Sequence, residues 1–395
     1  MIPKNRLFFE VGKHLGTLKF IEILFFGFLY EMQILPLKQA LKHIYWLMRD
    51  VKINWIVQIL EKIPLLPDVE KTCKNLKLEG YMIILISSGL PNILVDEIAS
   101  KIGADYSFGI HLENRGEFFT GKIKGEVIEQ NGKIHVLKNI LQKEKLSLKD
   151  CIMIADDRNN KSLFVKEALK IAYNPDYLLR IKADVVITGK FSNLVHAIKK
   201  ETDFRVLPNK KDLTRELIHA SGIFVPFIAM FTGKTVVGLS IALIMVAYCV
   251  SEYLRLHGKA LPFFSNITLW AASPYELYEI AFAPLYYGAG ILFTLLLFPH
   301  PASSAAIAMF ALGDSSASII GASISKRRLI FNRSKTLEGS LGGFLFAFLA
   351  GLLFVPPVFS LIGAAIAMIV EYLPWPINDN LMIPLTTGLF LTLII

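Results

Sequence analysis

The chain has 395 residues with a formal charge of +9, 53% hydrophobic and only 19% charged side chains. That length allows two or three domains, and so few charges among so many apolar residues speak against a wholly water-soluble protein. The basic surplus comes without any run of Lys and Arg interleaved with aromatics, which excludes a nucleic-acid reader.

The charge is unevenly spread: residues 1–210 hold 32 Lys and Arg and 24 Asp and Glu, whereas residues 211–395 hold 10 and 9. The first half reads as a soluble α/β domain and the second as membrane protein. Cys73, Cys151 and Cys249 are far apart, form no metal pattern and suit a reducing cytoplasm. The opening residues lack the charged, apolar and small-residue order of a signal peptide.

Residues 17–66 predict two or three helices of a cap. The apolar stretch TLKFIEILFFGFLYEMQ is interrupted by Lys19, Glu22 and Glu31, so it is too short to cross a bilayer needing about 20 residues. From 67 to 190 the pattern alternates. Helices are predicted over 68–79, 92–102, 132–145 and 160–169. Strands are predicted over 81–86, 151–154, 170–172 and 184–187, with short strands between 105 and 129. The all-apolar run YMIILI is what a fully buried parallel strand requires. A βαβ series of this kind gives a Rossmann-like parallel sheet with chemistry at the carboxyl ends of its strands. Ser87 and Asp156 fall at such ends, and Lys133 opens the helix between them.

A Ser after one strand, a Lys opening a later helix and an Asp after the next strand resemble the haloacid dehalogenase superfamily, in its phosphoserine-phosphatase-type branch, over residues 1–198. The resemblance implies that Ser87 and Lys133 hold phosphate and that Asp156 holds magnesium. Two departures stand out. The family's Gly-Asp-Gly-x-Asn-Asp is here Ala155-Asp156-Asp157-Arg158-Asn159-Asn160, so the last acid is an amide. The family's Asp-x-Asp/Glu-Gly nucleophile motif is missing, as though the chain began late or the nucleophile were lost. The expectation is a truncated or degenerate domain that does not hydrolyse phosphate esters, since no Asp is present to be phosphorylated. A phosphatase missing its start is the alternative.

Residues 199–212 (KKETDFRVLPNKKD) read as a linker. Beyond it, apolar spans are expected near 217–233, 236–254, 277–298, 301–322, 337–355, 356–373 and 381–395, about seven transmembrane helices. If the soluble half is cytoplasmic, every Lys and Arg after Lys210 except Lys234 lies inside, as the positive-inside rule asks. The stretch FTGKT at 231–235 is no phosphate loop, because Ile228 stands where a Gly is needed. Arg215, Glu216, His219, Glu252, Arg255, Asp314, Lys335, Glu338, Glu371 and Asp379 then all sit near one face. Ionisable groups at membrane depth are costly and mark functional sites by default.

GDSSASIIG, a basic loop and KTLEGS resemble the paired signature of the dolichol kinase, phytol kinase and CTP-dependent diacylglycerol kinase family, with phosphatidate cytidylyltransferases as distant relatives. TRELIHASG, SEYLR and EYLPWPINDNLMIP are similar to the family's other motifs, in family order, over 213–395. The resemblance implies a multi-pass, CTP-dependent lipid alcohol (polyprenol or isoprenoid) kinase acting at the cytoplasmic face, with Mg2+ and CTP bound. Asp314, Asp379 and Glu371 would hold magnesium. Glu338 would assist them at the catalytic centre, and Lys335, Gly313, Lys326, Arg327, Arg328 and Arg333 would bind the nucleotide. His219 or Asp314 would act as base. Cytidylyl transfer, and a transporter-like protein with a soluble sensor, are the competing readings.

Overall fold

The computed structural model describes residues 10–199 and 210–395, apart from 13, 32–33, 62–63, 257, 260, 273–276, 278–279, 325–326, 328, 330–331, 333–334, 374 and 376. It divides into two compact units: residues 1–174 with 182–201, and residues 175–181 with 202–395.

In the first unit three helices lie where the cap was expected: α1 (Thr17–Glu31), α2 (Leu37–Trp46) and α3 (Ile53–Glu61). Then come α4 (Val69–Leu78), β1 (Ile84–Pro91), α5 (Asn92–Ile102), β2 (Tyr106–Arg115) and β3 (Phe118–Lys124). β1 pairs in parallel with β2, and β2 turns back antiparallel onto β3 through Gly116, whose φ of 64° suits glycine in a tight hairpin. The regular part of β1 ends at Ile86, paired with Phe108, and the next pair is Pro91 with Ile110. The segment SSGLP therefore loops out of register, as its turn-like composition predicts.

α6 (Gly132–Lys143), β4 (Ile152–Ala155), β5 (Leu169–Tyr173), β6 (Val185–Ile187) and α8 (Leu194–Ile198) follow, while α7 (Tyr177–Lys182), between β5 and β6 in the chain, groups almost entirely with the second unit. β4, β5 and β6 make a second, all-parallel sheet. Ile102, Ile110, Phe119 and Ile171 are among the fully buried side chains of the unit. The helix expected over 160–169 is absent. Asp157 accepts hydrogen bonds from both the backbone and side-chain nitrogens of Asn159 at 2.7 Å. The chain continues through short turns such as Leu163 N to Asn160 O. Asp157 thus caps a single 3-10 turn, Arg158–Asn160, which does not continue into an α-helix.

The second unit is all helical: α9 (Lys210–Ala220), α10 (Phe224–Thr232), α11 (Lys234–Leu256), α12 (Pro262–Ala271), α13 (Ala283–Leu297), α14 (Ala302–Ile324), α15 (Leu337–Gly351), α16 (Pro357–Tyr372) and α17 (Asp379–Ile394). Apolar helices thus occupy all seven regions read as spans. By length and composition, however, three of the described stretches suffice to cross a membrane: Lys210–Thr232, Lys234–Leu256 and Ala302–Ile324. The other four apolar helices are shorter, 15 or 16 residues each. The region read as a linker lies mostly outside the described residues, and its last three residues already belong to α9.

This unit is apolar on the outside, and its interior mixes large apolar side chains such as Ile307 and Phe310 with small and polar ones. Val236, Leu239, Leu243, Val246 and Val250 form an exposed stripe along α11 at helical spacing. Every residue from Ala302 to Ala311 of α14 is buried. α14 and α15 approach closely through glycines. A Cβ on Gly313 would stand 3.0 Å from the Cβ of Ala347, and one on Gly343 would stand 2.8 Å from the carbonyl oxygen of Gly313. Small residues permit such backbone contact where apolar surroundings offer no hydrophobic drive between helices.

Candidate functional sites

The second unit carries a buried charged cluster built from four separate stretches of chain. α9 supplies Arg215, Glu216 and His219, the centre of α14 supplies Asp314, the residues before α15 supply Lys335, and the end of α16 supplies Glu371. Lys335 Nζ lies 2.5 Å from Glu371 Oε1 and 3.8 Å from Asp314 Oδ1. On the other side, Asp314 Oδ2 lies 3.5 Å from His219 Nδ1. Arg215 donates to Glu216 Oε1 at 3.2 Å. Glu216 and Glu371 are 5% and 1% exposed, respectively, deep enough that an unpartnered oxygen is costly. Yet Glu216 Oε2, His219 Nδ1 and Glu371 Oε2 have no hydrogen-bond partner among the described residues. The 3.5 Å contact of His219 with Asp314 is therefore an electrostatic approach and not a hydrogen bond.

Local structure explains why these groups meet. Thr336 is the N-cap of α15 and its hydroxyl accepts from Gly339 N at 3.1 Å, so the Lys-Thr pair fixes where the helix begins and Lys335 turns inward. The basic loop is tied to the same point: Lys335 N donates to Asn332 O at 3.0 Å and Leu329 N to Lys335 O at 3.1 Å. Tyr287 of α13 stacks on His219 with ring centroids 4.4 Å apart and donates to the His219 carbonyl at 2.5 Å. That fixes the imidazole from one face. Gly222 allows this approach, since a Cβ there would collide with the Tyr287 hydroxyl.

The structure redistributes several sequence-derived roles. Glu371, read as a magnesium ligand, is the ion-pair partner of Lys335. The carboxylate that instead joins Asp314 and His219 is Glu216. Their ligand atoms all lie within 4.8 Å of one another, the one group of three such residues so arranged among those described. Gly313, read as nucleotide-binding, lies in the interior of α14 where its missing Cβ admits Ala347 and Met368. Glu338 Oε2 accepts from the backbone of Arg327 at 3.3 Å, at the loop. Arg327 itself is exposed, and Lys326, Arg328 and Arg333 lie outside the described residues. Asp379 opens α17, within electrostatic range of both Lys335 and Asp314.

Glu252 and Arg255, which the sequence grouped with the rest, form a separate knot. Glu252 receives both arms of Arg255 at 2.9 and 2.7 Å, Thr268 Oγ1 at 3.0 Å and Ala281 N at 3.0 Å. Both of its oxygens are satisfied, so it clamps α11 to α12 and to the chain before α13.

In the first unit, Lys133 opens α6, is 8% exposed and donates to Asn160 Oδ1 at 2.6 Å. The lysine thus reaches the loop after β4, as its spacing to Asp156 implies. Ser87 Oγ accepts from Gly89 N at 3.3 Å and Leu90 N at 3.2 Å, within its own loop. Asp157 is engaged by Tyr30 of α1 at 2.7 Å and by Asn159. With Asp157 and Asn160 so committed, the described residues around Asp156 present no group of three ligands for an ion. Asp156 remains the carboxylate there for magnesium, an ion that one or two protein carboxylates suffice to hold.

These features of the first unit, a parallel sheet with a lysine reaching the loop after its neighbouring strand, define a hydrolase-type α/β fold. The sequence profile of the haloacid dehalogenase-like hydrolases matches residues 5–159. The phosphoserine phosphatase of Methanocaldococcus jannaschii is 33% identical over 153 residues, which cover 39% of this chain and 72% of that protein. The phosphoserine phosphatase of Archaeoglobus fulgidus is 27% identical over 169 residues, covering 42% of this chain and 49% of that protein. A solved structure, a phospho-aspartyl intermediate analogue of phosphoserine phosphatase, is 29% identical with a TM-score of 0.44, covering 49% of this chain and 90% of that one. The chain belongs to the haloacid dehalogenase-like hydrolase family through its N-terminal half. Within the family, that half is of the phosphoserine-phosphatase type.

Proposed function

We propose that the helical unit is a membrane-embedded phosphotransferase that moves a phosphoryl group from CTP to a lipid alcohol, and that the hydrolase-type unit is attached to it as a phosphate-recognising domain. One observation carries the reading. Asp314, Lys335, His219 and Glu371, drawn from regions far apart in sequence, converge inside a bundle whose outer face is apolar. Charges held at such depth have few purposes other than chemistry or transport.

Phosphoryl transfer asks for little covalent participation by the protein and much positioning and charge stabilisation. Lys335 is placed to meet phosphate oxygens, with Glu371 holding its ammonium from behind. His219, braced by Tyr287, is the candidate to take the proton of the lipid hydroxyl. Asp314 and Asp379 are the carboxylates that would hold magnesium arriving with the nucleotide, where the ion supplies charge neutralisation between phosphates. The lipid alcohol would approach along the apolar exterior. The reading places all seven apolar helices of the unit in the bilayer, with the charged cluster and the soluble unit on the cytoplasmic side.

Purified full-length protein given γ-labelled CTP, a polyprenol and magnesium tests this directly. Label in the lipid is expected, and Asp314→Asn and Lys335→Ala should each abolish it. Release of pyrophosphate with cytidylyl appearing in a phospholipid would replace the kinase with a cytidylyltransferase. Lipid phosphorylation unchanged by either substitution would leave the transporter reading. For the first unit the family membership favours phosphate-monoester hydrolysis, with Ser87 and Lys133 on the phosphate. Phosphate release from phosphoserine by the full-length chain, lost in Lys133→Ala, tests it.

A further inference from the structure

We propose that Glu216, His219 and Asp314 form a binding site for a divalent transition-metal ion, of the Mn2+ or Zn2+ class, resident in the helical unit. It deepens the proposed phosphotransferase site and rests on that reading for its purpose, though not for its test; within it His219 is a ligand in place of a base, because an imidazole bound through Nδ1 carries its proton on Nε2 and cannot take another.

The geometry comes first. Glu216 and His219 are three residues apart on α9, so both project from one face of the helix toward Asp314 on α14. The three ligand atoms lie within 4.8 Å of one another, and His219 Nδ1 to Asp314 Oδ2 is 3.5 Å. Two ligands of a tetrahedral ion bound at about 2.1 Å stand about 3.4 Å apart, so that pair is already spaced for an ion. The Glu216 ligand atom lies within 4.8 Å of both and has to close toward that spacing to complete the set.

The hydrogen-bonding pattern points the same way. Each carboxylate has one oxygen committed to a cation: Glu216 Oε1 to Arg215 and Asp314 Oδ1 to Lys335. The other oxygen of Asp314 faces the imidazole, and that of Glu216 has no hydrogen-bond partner, although the residue is 5% exposed. His219 Nδ1 also has none. Buried polar atoms without partners are rare and call for an explanation, and here two converge on one point. A metal ion supplies the missing partner to both. Outer partners of this kind, Arg215, Lys335 and Tyr287, are also what orients ligands around an ion.

Charge agrees. Among the described residues the cluster has three carboxylates, Glu216, Asp314 and Glu371, against two fixed cations, Arg215 and Lys335. A surplus of negative charge inside an apolar bundle is relieved by a cation. The ligand set chooses its kind: magnesium keeps to oxygen, whereas imidazole with carboxylates suits manganese, iron or zinc.

The test uses untagged full-length protein in detergent, so that no foreign histidine contributes, with Mn2+ alone and neither nucleotide nor lipid. Electron paramagnetic resonance should show one Mn2+ bound per chain with nitrogen coupling from one imidazole. His219→Gln should abolish the nitrogen coupling, and Glu216→Gln should weaken binding at least about tenfold while leaving the coupling. If either variant misfolds, the wild-type spectrum still decides, together with a larger thermal shift of the wild type by Mn2+ than by Mg2+. No stoichiometric binding, binding without nitrogen coupling, or coupling that survives His219→Gln overturns the site. Any of those results would leave lipid phosphorylation by magnesium and CTP standing, so the two ideas fail separately.

Discussion

Lys335→Met isolates the electrostatic centre of the helical unit. The lysine stands 2.5 Å from Glu371 and 3.8 Å from Asp314, and both acids are buried. Methionine keeps the length of the side chain and removes only the charge. Among the described groups the balance then falls from three carboxylates and two cations to three and one. Removing one partner of a buried ion pair costs about 3–5 kcal/mol, because the remaining charge is left without compensation. For a unit of this size each kcal/mol lowers the melting temperature by about 2–4 °C, so a fall of roughly 6–20 °C is expected. Thermal unfolding of the detergent-solubilised chain, followed by tryptophan fluorescence, measures it. Adding Glu371→Gln removes the charge that Lys335 had balanced, and the double variant should recover most of the loss, since deleting both members of a buried pair is often near neutral. Lipid phosphorylation should stay lost in both. A single variant that melts with the wild type, or a double variant that melts no higher than the single, refutes the assignment of Lys335 as the buried counter-ion of Glu371.

Glu252→Gln should also destabilise, by up to about 3–5 kcal/mol, because it removes the charge that pairs with the largely buried Arg255 at 2.7 Å. Mn2+ binding by the folded fraction should nevertheless be unchanged, and a lost Mn2+ signal would join the two clusters that the structure separates. Gly343→Ala should cost about 1–3 kcal/mol by overpacking, since its Cβ would stand 2.7 Å from Met368 Sδ and 2.8 Å from Ala317 Cβ; an unchanged melting temperature would show that α14 and α15 are not in backbone contact. Cys73 is 3% exposed and burial pushes its thiol up to about 11, so at pH 8 the thiolate that alkylating reagents attack is scarce. Mass spectrometry of the native chain should find Cys151 modified by iodoacetamide and Cys73 not, with Cys73 labelling rising only as the pH approaches 11 or the chain unfolds.

The elements that position the sites were legible where periodicity is strong. The helix at 92–102 was placed to the residue, and α6 differs by two residues at its end. β1 was placed three residues early, because the sequence marks the apolar run and not the register at which it pairs with β2. Over 160–169 the expected helix is replaced by a single capped turn, Arg158–Asn160, followed by short turns, and nothing in the apolar pattern distinguishes the two. Lys133 was picked out by the family resemblance, and its side chain donates to Asn160 in the loop after β4. Glu216 was visible only as a charge at the start of a span. Its i, i+3 relation to His219 was the available signal, but the sequence cannot say that Asp314 lies opposite that pair.

The two acidic knots of the helical unit show what separates a fastening from a site. Both contain a carboxylate within a few residues of an arginine, and both are almost completely buried. Sequence alone treats them alike. Glu252 has four donors on its two oxygens, and nothing more is needed there. A network so satisfied is rigid, and any ligand would first have to break it. Glu216 and Glu371 each have one oxygen held by a cation and one without a hydrogen-bond partner, and His219 Nδ1 between them is in the same state. An incomplete network at that depth is what a partner arriving from outside, such as the proposed metal ion, would complete. The unsatisfied atoms border Asp314 and Lys335, the residues that the two-part sequence signature places at its centre. The place where the bundle is least self-sufficient is therefore the place where a metal ion and phosphate groups would complete it.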